Sequence, residues 1–219
     1  MKKYLLLISI FGIYSCEDKS SDSSYDTKYE FELHSNNRVS SLLMSPNEYD
    51  EWVNSDGFSN TGPRTDLVQD IYQRFDDDYD FIILLLNEPS IPDNLSYYGR
   101  LIGVSNSIKG IGLSSYDFSS EYGSSGKLKA LIQMTGLEYL KYGPALHELA
   151  HQWANFALPT HSVSSTGTDL TSFLFGSHWG FTGGNTKGQL GGFEQSSLVD
   201  NGQNSYSVGE FGTFANGGN

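Results

Sequence analysis

The residues best equipped for chemistry are His147-Glu148-Leu149-Ala150-His151. On a helix, residues four apart share a face, with Cβ atoms roughly 5–6 Å apart. His147 and His151 can therefore turn two imidazoles toward one metal ion, at a Zn–N distance of about 2.0–2.1 Å. Glu148 directly follows the first imidazole, so its carboxylate can reach a metal-bound water without being a ligand. Zinc lowers the pKa of such a water from 15.7 to about 7. Glu148 could then take a proton as that water attacks a carbonyl carbon, and hand it on to the leaving group. The two positions between, Leu149 and Ala150, are uncharged.

A helix must hold these groups, and its limits are readable. Gly143-Pro144 can start it, since proline at the first helical position loses no intrahelical hydrogen bond. Ala145 to Leu158 is helix-compatible, and Pro159 ends it. Leu149, Trp153 and Phe156 form a second stripe, expected to pack into the core. Upstream, Tyr29 to Leu33 alternates like an edge strand. Ser45-Pro46-Asn47-Glu48 is a capping box that should open a helix reaching about Val53. Asn54 to Gly62 reads as a turn-rich loop. Pro63 can open a second helix, with Leu67, Val68, Ile71, Tyr72 and Phe75 on one face.

Asp76-Asp77-Asp78-Tyr79-Asp80 reads as a solvated connection. Its oxygens would suit a hard cation such as calcium, but EF-hand spacing is missing. Phe81 to Leu86 is a continuous apolar run, expected as a strand buried on both faces. Arg100 to Ser105 and Lys127 to Met134 look like further strands, and no tandem repeat is visible. The order implies an α+β fold, a twisted sheet backed by helices with the motif helix beneath it. From residue 162 onward the chain is Gly-rich and irregular.

Composition limits the partners. The chain has 219 residues and a formal net charge of -13. That charge, without a cluster of Lys and Arg, argues against nucleic acid and against anionic membrane surfaces. Hydrophobic residues reach 37% and charged residues 18%, enough for a core in a loop-rich exported protein. Met1-Lys2-Lys3 is a basic start, and Tyr4 to Tyr14 has the length of a signal-peptide apolar region, too short to span a membrane as a helix. The sole cysteine, Cys16, follows at once. Ile13-Tyr14-Ser15-Cys16 resembles a bacterial lipobox, in which cleavage precedes the cysteine and its thiol carries a lipid. Residues 1–15 are thus expected as a signal peptide, 16–26 as a lipidated flexible tether and 27–219 as one domain. The acidic, Ser-rich tether resembles the surface-export signals of Bacteroidota-type lipoproteins. Membrane contact only through this anchor, on the outer membrane of a cell envelope, follows from that resemblance.

Over about residues 60–160, His147, Glu148 and His151 with the order of elements before them resemble the zincin metallopeptidases. The resemblance implies a zinc ion, peptide-bond hydrolysis of a protein or peptide substrate, and a cleft beneath an edge strand. Lys127 to Met134 is the candidate for that strand. A zincin needs a third protein ligand. The metzincin pattern is absent, because Ala154 and Ala157 stand where its glycine and histidine would be. Three candidates remain: His178, which is favoured, His161, just past Pro159, and Glu194, in the gluzincin manner. His178-Trp179-Gly180, Gly188 to Phe193 and Phe211 to Asn219 resemble bacterial surface lipoproteins with a His-Trp-Gly after the motif. Those relatives continue into a methionine-containing turn, whereas no methionine follows Met134 here. A C-terminally truncated member, and a non-catalytic zincin-fold binding module, are the alternatives this leaves open.

Overall fold

The structure is a computed structural model that describes residues 3–10, 28–34, 38–109, 114–141, 144–154, 162–163, 168–169 and 198–208. The chain divides into two compact units, residues 1–107 with 116–140, and residues 108–115 with 141–219. It is a mixed α+β protein.

The first unit is built on a six-stranded sheet. Its strands are β1 (Lys3–Ile10), β2 (Glu30–Leu33), β3 (Val39–Met44), β4 (Phe81–Leu86), β5 (Gly99–Gly103) and β8 (Ala130–Met134), in the order β2-β3-β1-β4-β8-β5. β4 and β8 are parallel, with Ile83 opposite Ile132, and every other pairing is antiparallel. The apolar run Phe81 to Leu86 is buried at every position, as a strand covered on both faces requires. One correction concerns strand order. Lys127 to Met134 does not supply the edge: β8 lies between β4 and β5, and β5 is the edge strand. Apolarity reports that a strand is buried, not which neighbours it has. Residues 3–10, within the stretch read as a signal peptide, form β1 in the interior of the sheet.

Two helices cross from β3 to β4. Helix α1 (Pro46–Asn54) opens with the expected box, Ser45 accepting from the Glu48 amide while the Glu48 carboxylate accepts from the Ser45 amide. Helix α2 (Thr61–Arg74) starts two residues before Pro63. Tyr49, Trp52, Leu67, Val68 and Ile71 pack with Leu42, Leu84 and Leu86 in one apolar cluster. Burying such side chains stabilises by about 1.5–3 kcal/mol each. Asp70, also on α2, accepts from the amides of Lys28 and Tyr29, both at 2.8 Å, and so fixes the entry to β2. The Arg64 guanidinium is buried and donates to the Phe58 carbonyl (2.6 Å) and the Tyr122 hydroxyl (3.0 Å), which ties α2 to its flanking loops.

Short elements complete this unit. β6 (Ser105–Asn106) pairs with β7 (Tyr116–Asp117), and a 3-10 turn spans Ser119–Tyr122. A Cβ at Gly103 would meet the Tyr116 hydroxyl, so a larger residue there would require that ring to move. Helix α3 (Leu137–Lys141) follows β8. The acidic run after α2 is not simply solvated. Asp77 accepts from Ser124 Oγ, from Ser125 Oγ and from the Ser125 amide, at 2.6–3.0 Å. The carbonyl of Asp80 accepts from Lys129 N at 2.7 Å. The run therefore clamps the approach to β4 onto the approach to β8.

In the second unit, helix α4 (Pro144–Ala154) carries the motif. Strand β9 (Ser162–Val163) pairs with β10 (Thr168–Asp169), and β11 (Leu198–Gly202) with β12 (Ser205–Val208), all antiparallel.

Candidate metal centre

Helix α4 begins at Pro144 and runs to Ala154, so residues 147, 148 and 151 all lie within it. At about 100° per residue, Ala145, His147, Glu148, His151 and Gln152 fall within roughly 160° of arc. All five are buried. His147 and His151 are each 9% exposed, and Glu148 is 7% exposed. The other side of the helix carries Leu146 and Trp153, which are about half exposed. The expectation that Trp153 would pack the helix into the core is thus overturned, since it is 49% exposed. Leu149 is half-buried, and Phe156 lies outside the described residues.

This orientation is costly. Leaving a Leu and a Trp half exposed forgoes about 1 kcal/mol or more each. Turning two imidazoles and a carboxylate inward adds desolvation cost that only partners can offset. Apolar packing alone would rotate the helix the other way, so the buried face must carry polar interactions.

The geometry supplies one such interaction. The Nε2 atoms of His147 and His151 stand 3.1 Å apart. The rings meet edge to face, with centroids 4.7 Å apart and planes at 88°. Two nitrogens bound at about 2.0–2.1 Å to one tetrahedral ion would stand roughly 3.3–3.4 Å apart. The pair therefore fits a shared zinc ion with little adjustment, and both rings present the same nitrogen to the same point. Glu148 lies one residue from His147 on the same buried face.

The three candidates for a third ligand, His178, His161 and Glu194, lie outside the described residues, as does Cys16. Among the described residues no three His, Cys, Asp or Glu side chains come together as a metal cluster. His34 is remote from the motif in sequence and shares a hydrogen bond with Ser41 Oγ at 2.8 Å.

Sequence reasoning missed a polar network in the first unit. Asp56 has φ 48, a left-handed conformation that Asp tolerates better than most residues. Its carboxylate accepts from Ser59 Oγ (2.6 Å), the Tyr97 hydroxyl (2.8 Å) and Arg100 (3.1 Å). Arg100 also donates to Ser59 Oγ and lies over the Tyr97 ring. Burial would raise the Asp56 carboxyl, but the hydrogen bonds from Ser59 and Tyr97 and the Arg100 charge outweigh it and hold it below the usual carboxylate range. The dipeptide Asp56-Gly57 announces a turn, but the partners from β5 and its approach are distant in sequence.

Compared with protein families, with curated proteins and with solved structures, the chain matches none.

Proposed function

We propose that this chain is an exported, lipid-anchored zinc metallopeptidase of zincin type that cleaves protein or peptide substrates at the cell envelope. One observation carries the reading: helix α4 buries His147, Glu148 and His151 while exposing Leu146 and Trp153, with the two histidine Nε2 atoms converging to 3.1 Å.

His147 and His151 would hold the ion, with His178 the favoured third ligand. Bound zinc would supply a water acidified to a pKa of about 7 and a Lewis acid for the scissile carbonyl. Glu148 would accept a proton on its carboxylate and deliver it to the departing amine nitrogen. The export part of the reading rests on Met1 to Cys16, whose basic start, apolar stretch and lone cysteine follow the lipoprotein order.

The test compares wild type with Glu148→Gln by metal analysis and casein hydrolysis. Zinc near one equivalent in both proteins, with hydrolysis reduced about 100-fold or more in the variant, supports the peptidase. Equal zinc with no hydrolysis in either protein would favour a zincin-fold binding module instead. Zinc in neither would remove the metal centre.

A further inference from the structure

The most informative feature outside the motif is the place of β1. It pairs antiparallel with β3 on one side and with β4 on the other. Leu5 faces Leu42 and Leu86, Leu6 faces Ser41 and Leu85, and Leu7 faces Ser40 and Leu84. Strands β3 and β4 therefore run parallel to each other, one strand apart, with matching rows at 42/86, 41/85 and 40/84. Leu42, Leu84 and Leu86 belong to the same apolar cluster, so the row-mates agree in which face they present. The connection from β3 to β4 runs through α1 and α2, which pack on that face. A helical crossover of this kind ordinarily joins neighbouring parallel strands. Here, residues 3–10 stand between them.

Those residues are the apolar stretch that lipoprotein processing would remove. We infer that β1 is a placeholder, and that in the processed chain β3 and β4 close into a direct parallel pair in the register 42/86. The inference rests on the export reading given above. Without β1, the facing amides and carbonyls of β3 and β4 lose their partners. β4 is apolar at every position, so a gap left beside it would expose that surface to water at a cost of about 25 cal/mol per Å². A shift of one strand spacing, about 4.7–4.9 Å, restores the ladder without changing face or register. The processed sheet then has a parallel centre β3-β4-β8 with antiparallel β2 and β5 at its edges.

The test is disulfide capture. Residues 16–219 and residues 1–219 are each prepared with Cys16→Ser, so that two engineered cysteines are the only thiols. One pair is Leu43→Cys with Asn87→Cys, one row beyond the shared rows 40/84 to 42/86, and the second is Ser41→Cys with Leu85→Cys. Adjacent strands bring Cα atoms into the 4.4–6.8 Å range that a disulfide accepts, whereas two strand spacings exceed its limit of about 7 Å. Under mild oxidation, at least about tenfold more cross-link is expected in residues 16–219 than in residues 1–219, read by peptide mapping without reductant. Either pair suffices, which covers the case in which the buried Leu85 site disturbs folding. The inference is overturned if residues 16–219 unfold cooperatively but neither pair links, or if both chains link equally. It is also overturned if residues 16–219 have no cooperative transition, since β1 is then an integral strand. The N-terminal mass of protein from the envelope of an expressing bacterium tests export separately: retention of residues 1–15 would refute the export reading whatever the cross-links show.

Discussion

His151 and His147 meet at 3.1 Å only because four residues make about one helical turn and both rings lie on the buried side of α4. Replacing His151 with Ala should weaken zinc binding by more than about 100-fold, as measured by competition with a chromophoric chelator, because it removes a proposed direct ligand where loss of an outer partner alone costs 10–100-fold. This pair was legible from residue type and spacing alone. What spacing could not show was that the helix would expose Trp153, because amphipathic reasoning assigns large apolar residues inward and takes no account of ligands. Asp77 is a second residue whose surroundings decide its behaviour. Burial opposes ionisation, but hydrogen bonds from Ser125 and Ser124 prevail and hold its carboxyl below the usual range. A carboxyl lowered in the folded state stabilises above its unfolded pKa of about 3.9, and that contribution fades as pH falls through the folded value. Asp77→Asn should therefore lower the melting temperature at pH 7, and the difference from wild type should shrink toward zero below about pH 3, as followed by circular dichroism.

Helix α1 shows what an element owes to its first turn. Ser45 and Glu48 satisfy two otherwise orphaned amides reciprocally. Ser45→Ala should destabilise the protein by about 1 kcal/mol, seen as a lower urea midpoint with an unchanged slope. Elements with a local signature were legible: the capping box of α1, the apolar face of α2, and the continuous run of β4. Strand β3 was not. Its buried side is Ser40, Leu42 and Met44 and its half-buried side is Val39, Ser41 and Leu43, so both sides mix polar and apolar residues and the period of two is blurred. The edge position of β5 was hidden as well, because neighbour order in a sheet arises from long-range pairing that no window of sequence contains.

Across the whole molecule, a net charge of -13 should keep the polypeptide away from anionic bilayers. Residues 16–219 with Cys16→Ser should remain in solution with phosphatidylglycerol vesicles in a flotation assay, whereas the lipidated protein should float with them. Binding of the unlipidated chain would point to a membrane-active surface that the charge does not suggest. The proposed anchor at Cys16 would give the Asp70 carboxylate a mechanical role. Lys28 lies twelve positions after Cys16, a span of at most roughly 40 Å when fully drawn out. Any tug transmitted along that leash from a moving or sheared envelope meets the folded body first where Asp70 grips the amides of Lys28 and Tyr29. Those two bonds would have to rupture before the load could peel β2 from the sheet, so the carboxylate acts as a strain relief that spares the core from forces on the lipid.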